Sequence, residues 1–136
     1  MTTHLGGCLC GQIRFQASAD PIAVSVCHCR DCQNGSGGGP NYIALIPVAA
    51  FEITKGEPRV FVSKGDSGND VGRGFCPDCG SPLFSELPGM PFIPVKVGAM
   101  DDPAAFPPTM HLWTQSAQAW HTIAPGLPSF PRQPGG

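Results

Sequence analysis

Seven cysteines are the residues of this 136-residue chain whose type and spacing point to chemistry: Cys8, Cys10, Cys27, Cys29, Cys32, Cys76 and Cys79. They form three groups, Cys8-Leu9-Cys10, Cys27-His28-Cys29-Arg30-Asp31-Cys32 and Cys76-Pro77-Asp78-Cys79-Gly80. Sulfurs spaced C-x-C or C-x-x-C come to one side of a bend, at the separation that tetrahedral zinc with thiolates at about 2.3 Å requires. In the third group Pro77 fixes φ at the turn, and Gly80 tolerates the positive φ that such a knuckle needs. The count is odd, and the start, Met1-Thr2-Thr3-His4-Leu5, has neither a basic n-region nor an apolar h-region. Both facts argue for metal over a disulfide framework and make the cytosol the expected compartment.

Seven thiolates divide most economically into a closed site of four and an open site of three, because Cys27, Cys29 and Cys32 lie too close together to be shared out. Cys8 and Cys10 joined to Cys76 and Cys79 make a structural zinc site tying the N-terminal segment to a distant knuckle. Cys27, Cys29 and Cys32 then leave one coordination position for water or substrate, the catalytic pattern. Two alternatives stay open: His28 closes the middle cluster as a fourth ligand, or its thiols work without metal. Extended backbone at Cys27-His28-Cys29 disfavours the first, since it turns His28 away from both cysteines.

Short strands must position these groups. Gln12 to Ala17 alternates polar and apolar residues, and Ile22 to Val26 reads as a strand delivering Cys27. Further strands are expected at Tyr42 to Ile46, Phe51 to Thr54, Arg59 to Ser63, Val71 to Phe75, Leu83 to Glu86, Phe92 to Val97 and Met110 to Trp113. Asn34 to Pro40 reads as a flexible glycine-rich loop beside the open site, and Asp102-Pro103 as the cap of a short turn of helix. Ser116 to Trp120 suggests another helical turn with Trp120 in the core, while His111 is expected to be a satisfied structural histidine.

Composition agrees with this picture. Gly and Pro number 18 and 16, a quarter of the chain, and only 13% of residues are charged. Long helices have little room, and 41% hydrophobic content opposes disorder. The length fits a single domain over residues 1–136, with residues 124–136 a Pro-rich tail that runs extended along the surface or is disordered. Net charge is −2 and no basic run exists, which disfavours nucleic acid; no apolar stretch is long enough to span a membrane.

The chain resembles the glutathione-dependent formaldehyde-activating enzyme family, which includes centromere protein V. The likeness runs through Gly6-Gly7-Cys8-Leu9-Cys10-Gly11, Ile13-Arg14-Phe15, Cys27-His28-Cys29-x-x-Cys32 and Gly56-Glu57-Pro58 with Phe61 and Ser63. It continues through Arg73 to Leu83, Gly98-x-x-Asp101-Asp102-Pro103, Pro108-x-x-His111, and Trp120 leading to Leu127-Pro128-x-Phe130.

The resemblance implies an all-β, tent-like fold of short antiparallel strands with zinc knuckles and at most short helical turns. It implies two zinc ions per chain, one structural on the first and third groups and one catalytic on Cys27, Cys29 and Cys32. The implied activity is that of a carbon-sulfur lyase forming or cleaving a thiol-aldehyde adduct, with glutathione and formaldehyde as partners. Two other functions compete: a noncatalytic zinc module binding a protein, and a metal-buffering or redox-sensing protein. The stretch Gln33 to Gly39 is more glycine-rich than the family's commoner pattern, and only Arg30 and Arg73 among the cations lie close in sequence to a cysteine group.

Overall fold

A computed structural model describes residues 2–134. Ten short strands form in chain order: β1 (His4–Gly7), β2 (Arg14–Ala17), β3 (Val24–Cys27), β4 (Asn41–Pro47), β5 (Phe51–Lys55), β6 (Arg59–Lys64), β7 (Asp70–Phe75), β8 (Pro82–Glu86), β9 (Phe92–Lys96) and β10 (Met110–Leu112). One six-residue helix, α1 (Arg30–Gly35), and four single 3₁₀ turns complete the regular structure among the described residues. The fold is all-β, as expected.

Three strands pair in the order β1-β2-β5 and seven in the order β10-β3-β4-β9-β8-β7-β6. Burial explains the division. On β2, Arg14 and Gln16 face outward while Phe15 and Ala17 are fully buried, so one face of the small sheet is apolar. That face meets Ala44 and Ile46 of β4, Leu83 and Phe84 of β8 and Val95 of β9 in a single core. Phe51 bridges the two sheets, its ring centroid 5.4 Å from that of Phe15 and 5.3 Å from that of Phe84. Gly6 is required by this contact, because a Cβ there would strike the Ala99 carbonyl and the Phe15 ring. All four residues of β3 are buried, since it lies between β4 and β10 and is covered on both faces.

Several features depart from the sequence reading. β1 is a strand although its four residues carry no clear alternation; pairing to β2, a bridge from Gly6 to Met100 and the Asp101 N–H donating to the Leu5 carbonyl hold it. β10 lies parallel to β3, the one parallel pair among strands otherwise joined antiparallel. The segment read as a flexible glycine loop begins inside α1, which the cysteine group itself starts. Trp120 is a correction: it is 72% exposed and rests edge-on against His121 instead of entering the core. Asp102 does precede a turn with Pro103 at its start, but its side chain makes no capping hydrogen bond. Within the 124–136 tail, Pro128 to Arg132 runs beside β10: His111 N–H donates to the Pro128 carbonyl, and Phe130 N–H to that of His111. Gly135 and Gly136 lie outside the described residues.

Candidate metal centres

The turn after β1 carries Cys8 and Cys10, and the turn between β7 and β8 carries Cys76 and Cys79. Their four Sγ atoms lie within 4.8 Å of one another. The Cys8–Cys10 and Cys10–Cys76 separations, 3.6 and 3.8 Å, match the edge of about 3.8 Å that a tetrahedron with 2.3 Å zinc–sulfur bonds has. Backbone donors already surround the sulfurs. Ile13 N–H points at Cys8 Sγ at 3.2 Å, and the N–H groups of Asp78 and Cys79 at Cys76 Sγ, both at 3.4 Å. Gly80 closes the knuckle with φ +76, its N–H donating to the Cys76 carbonyl. Ser81 Oγ accepts from Leu9 N–H and lies 3.2 Å from Cys79 Sγ, so it ties the two turns together. That hydroxyl, followed by backbone N–H groups, pulls the Cys79 thiol down to about 6.

The second group assembles where β3 meets α1. Cys27 ends β3 and is 6% exposed; Cys29 caps α1, its Sγ accepting from Cys32 N–H at 3.3 Å; Cys32 sits in the first turn of the helix. The three Sγ atoms lie within 4.8 Å of one another, and no histidine or carboxylate joins them among the described residues. Hydrogen bonds from the Cys27 and Cys32 thiols pull Cys29 down to about 2, and the bond to Cys29 together with burial pushes Cys27 up. The three thiols thus compete with one another for ionisation. A doubly charged soft metal would relieve that competition, so this donor set fits zinc, as the four-sulfur set does.

His28 is fully buried and turned away from the sulfurs. Ala124 N–H donates to Nε2 of His111, which places the His111 proton on Nδ1, 2.9 Å from Nε2 of His28. His111 is buried and bonded at both ring nitrogens, the structural histidine anticipated. His28 Nδ1 is left without a protein partner. Burial, joined for His28 by the neighbouring histidines, lowers the pKa of both rings.

Sequence reasoning missed the residues that hold the surroundings in place. Gln33, 2% exposed, donates to the carbonyls of His28 and Ser116 and accepts from Arg30 and Gln118. His121 Nε2 donates to the Gly38 carbonyl, fixing the glycine-rich segment. Arg30 is thereby used inside the helix, while Arg73 lies 3.8 Å from Asp31 and donates to Ser63 Oγ. Apart from the i,i+3 pair Arg30–Gln33 within α1, no local pattern marks these pairings, which span up to 85 residues of chain.

A cavity of about 810 Å³ has Cys8 as its one cysteine wall residue among the described residues. Cys8, Leu9 and Ser81 line it near the four-sulfur site, and Ser36, Asn41 and Lys96 near the three-sulfur site. Asn41 lines the cavity and donates from Nδ2 to Cys32 Sγ at 3.7 Å, so the wall borders the open cluster through that side chain, although no sulfur of the group lines it. The opposite side of the cluster is sealed by Leu112 and Trp113, with Met110 and Phe130 packed against it.

No curated protein matches the chain. A crystal structure of a Rhodobacter sphaeroides protein, a structural-genomics target, is similar in fold, with TM-score 0.57 and 14% identity over 93% of this chain and 98% of that one. The family model described as glutathione-dependent formaldehyde-activating enzyme matches residues 3–116, a span that holds all seven cysteines and the walls of the cavity. By that match the chain belongs to the glutathione-dependent formaldehyde-activating enzyme family.

Proposed function

We propose that the protein is a zinc-dependent carbon-sulfur lyase that forms or cleaves the adduct between a thiol and an aldehyde, with glutathione and formaldehyde as substrates. The observation that carries this reading is the three-sulfur group Cys27, Cys29 and Cys32, which lacks a fourth protein ligand among the described residues and adjoins a cavity through Asn41. Cys8, Cys10, Cys76 and Cys79 would hold a second, structural zinc. Zinc at the open group supplies Lewis acidity that lowers the pKa of an entering thiol. The chain's own share is to position that thiol and close the cluster's far side with Leu112, Trp113 and Phe130. In the forward direction one sulfur–carbon bond forms as the carbonyl π bond breaks, and the thiol proton ends on the new hydroxyl, so nothing is oxidised. His28, turned away among buried neighbours, is removed from the proton path; water remains as carrier.

The test pairs metal analysis with nuclear magnetic resonance exchange between free and glutathione-bound formaldehyde. Two zinc ions per chain and accelerated exchange are expected, with exchange lost in Cys29→Ala. A fully zinc-loaded chain that leaves the uncatalysed exchange rate unchanged would sink the reading.

One surface favours a second reading, a noncatalytic module that binds a protein. Strand β6 edges the large sheet with Val60, Phe61 and Val62 all exposed. Turnover with intact metal content decides between the two.

A further inference from the structure

The seven-stranded sheet ends on two strands that the chain treats differently. Beyond β10 its own tail continues the pairing: His111 bridges Ser129, and Phe130 N–H donates to the His111 carbonyl. At the other end β6 pairs with β7 alone, and no backbone hydrogen bond among the described residues reaches its outer side. Natural edge strands are commonly blunted by a charge, a proline or a bulge. β6 carries its charges only at its two ends, Arg59 and Lys64, and Lys64 is already paired with Asp70 at 2.8 Å. Between them Phe61 is 62% exposed on one face, and Val62 with Val60 is exposed on the other.

The hairpin that follows β6 fixes which of its backbone groups are free. Gly65 N–H donates to the Asn69 carbonyl, the Gly65 carbonyl accepts from Gly68 N–H, and Gly68 has φ +84, so Gly65 and Asn69 form the closing hydrogen-bonded pair. Bonded and non-bonded pairs alternate along an antiparallel ladder. The register then makes Ser63–Val71, Phe61–Arg73 and Arg59–Phe75 the bonded pairs, and leaves the N–H and C=O groups of Val60, Val62 and Lys64 pointing outward. A second strand can bond only to these three, which restricts how β6 meets another copy of itself. Phe61 opposite Val62 would set Arg59 against Lys64, and it also matches inward-facing groups with outward-facing ones, so it cannot form. Phe61 opposite Phe61 pairs Val60 with Val62 twice through reciprocal hydrogen bonds and sets Arg59 opposite Ser63, with no like charges directly opposed. Val62 opposite Val62 also satisfies the backbone but faces Phe61 with Ser63 and Val60 with Lys64, giving up the aromatic and valine contacts.

We propose that β6 joins β6 of a second copy of this chain, antiparallel about a two-fold axis at Phe61, so that the large sheet continues through both protomers. An edge complementary to itself in hydrogen bonding and charge is what a two-fold interface requires. Six paired residues a side, against roughly 20–30 in a standard interface, make this a weak dimer of micromolar affinity. It does not depend on the lyase reading, and it assigns the exposed edge to the chain itself in place of a foreign protein.

Sedimentation velocity on the zinc-loaded chain, over a series of concentrations, reads the association. Wild type should pass from monomer to dimer as concentration rises. Val62→Pro removes an outward N–H that β7 does not use, so the near-ultraviolet circular dichroism and zinc content should stay while the dimer is lost. Phe61→Lys and Phe61→Glu should each be monomeric alone and form a one-to-one dimer when mixed, because position 61 faces itself across the axis. Should Val62→Pro fail to fold, this charge pair alone decides. A wild type that stays monomeric at every concentration overturns the proposal and leaves the edge to a different partner. So does a dimer that survives in folded Val62→Pro, since its interface then lies elsewhere. The two Phe61 variants failing to associate on mixing overturn the pairing about Phe61.

Discussion

Nδ1 of His111 donates to Nε2 of His28 across 2.9 Å, joining two buried rings from parallel strand ends on the side of the sheet away from the sulfurs. Both rings are held neutral, with pKa values below the ordinary 6.5. The unfolded chain therefore takes up protons first as pH falls. Stability contributed by the pair is fully present above about pH 6.5 and declines below it, by at most about 1.4 kcal/mol per pH unit for each ring. Urea midpoints at pH 7.5, 6.5 and 5.5, at equal zinc content, should fall less steeply for His111→Asn than for wild type. Parallel slopes would mean that His111 already titrates freely in the folded state.

The two cysteine groups should fail differently. Cys79→Ala breaks the four-sulfur set that joins the turn after β1 to the turn before β8, and structural zinc contributes about 10 kcal/mol or more, comparable to a whole domain's stability. That variant should lose its near-ultraviolet circular dichroism signal and be degraded by dilute protease. Cys29→Ala should keep both, bind one zinc and lose exchange activity. A folded Cys79→Ala with activity intact would refute the division of roles.

Ser81 bridges Cys79 and Leu9 without lying on a strand of its own. Its removal in Ser81→Ala deprives Cys79 of the hydroxyl that most favours its thiolate. Loss of such a supporting contact costs metal sites about tenfold or more in affinity. Competition against a chromophoric chelator should show one of the two zinc ions leaving more readily, and the other unchanged.

Gly80 adopts φ +76, and a Cβ built there meets nothing within 4 Å. The cost of Gly80→Ala is thus conformational alone, about 1 kcal/mol, and a drop of a few degrees in melting temperature is expected. A much larger drop would mean that the knuckle cannot adjust at all.

What could be read from sequence was local. The Cys76 to Gly80 knuckle, the alternation on β2, and the turning of His28 away from Cys27 and Cys29 each follow from spacing within a few residues. Asn41 and Gln33 could not be read this way, because their contacts depend on which segments become neighbours. Asn41 lies opposite Cys27 and faces Cys32 only through the β4–β3 pairing, and Gln33 meets Gln118 across 85 residues. Trp120 misled for the opposite reason: a large aromatic suggests burial, but the segment after β10 is pinned by His121 and Gln118 and leaves the indole outside. The family likeness supplied order among distant motifs that periodicity could not.

The four-sulfur site joins a turn of the three-stranded sheet to a turn of the seven-stranded sheet. Were zinc the clasp, a newly made chain would lack this tie until the ion arrived, and the shared core around Phe15, Phe51 and Phe84 would have to hold the two layers alone. Cellular zinc supply would then set how much of this protein survives proteolysis, so its abundance would report metal status whatever its substrate.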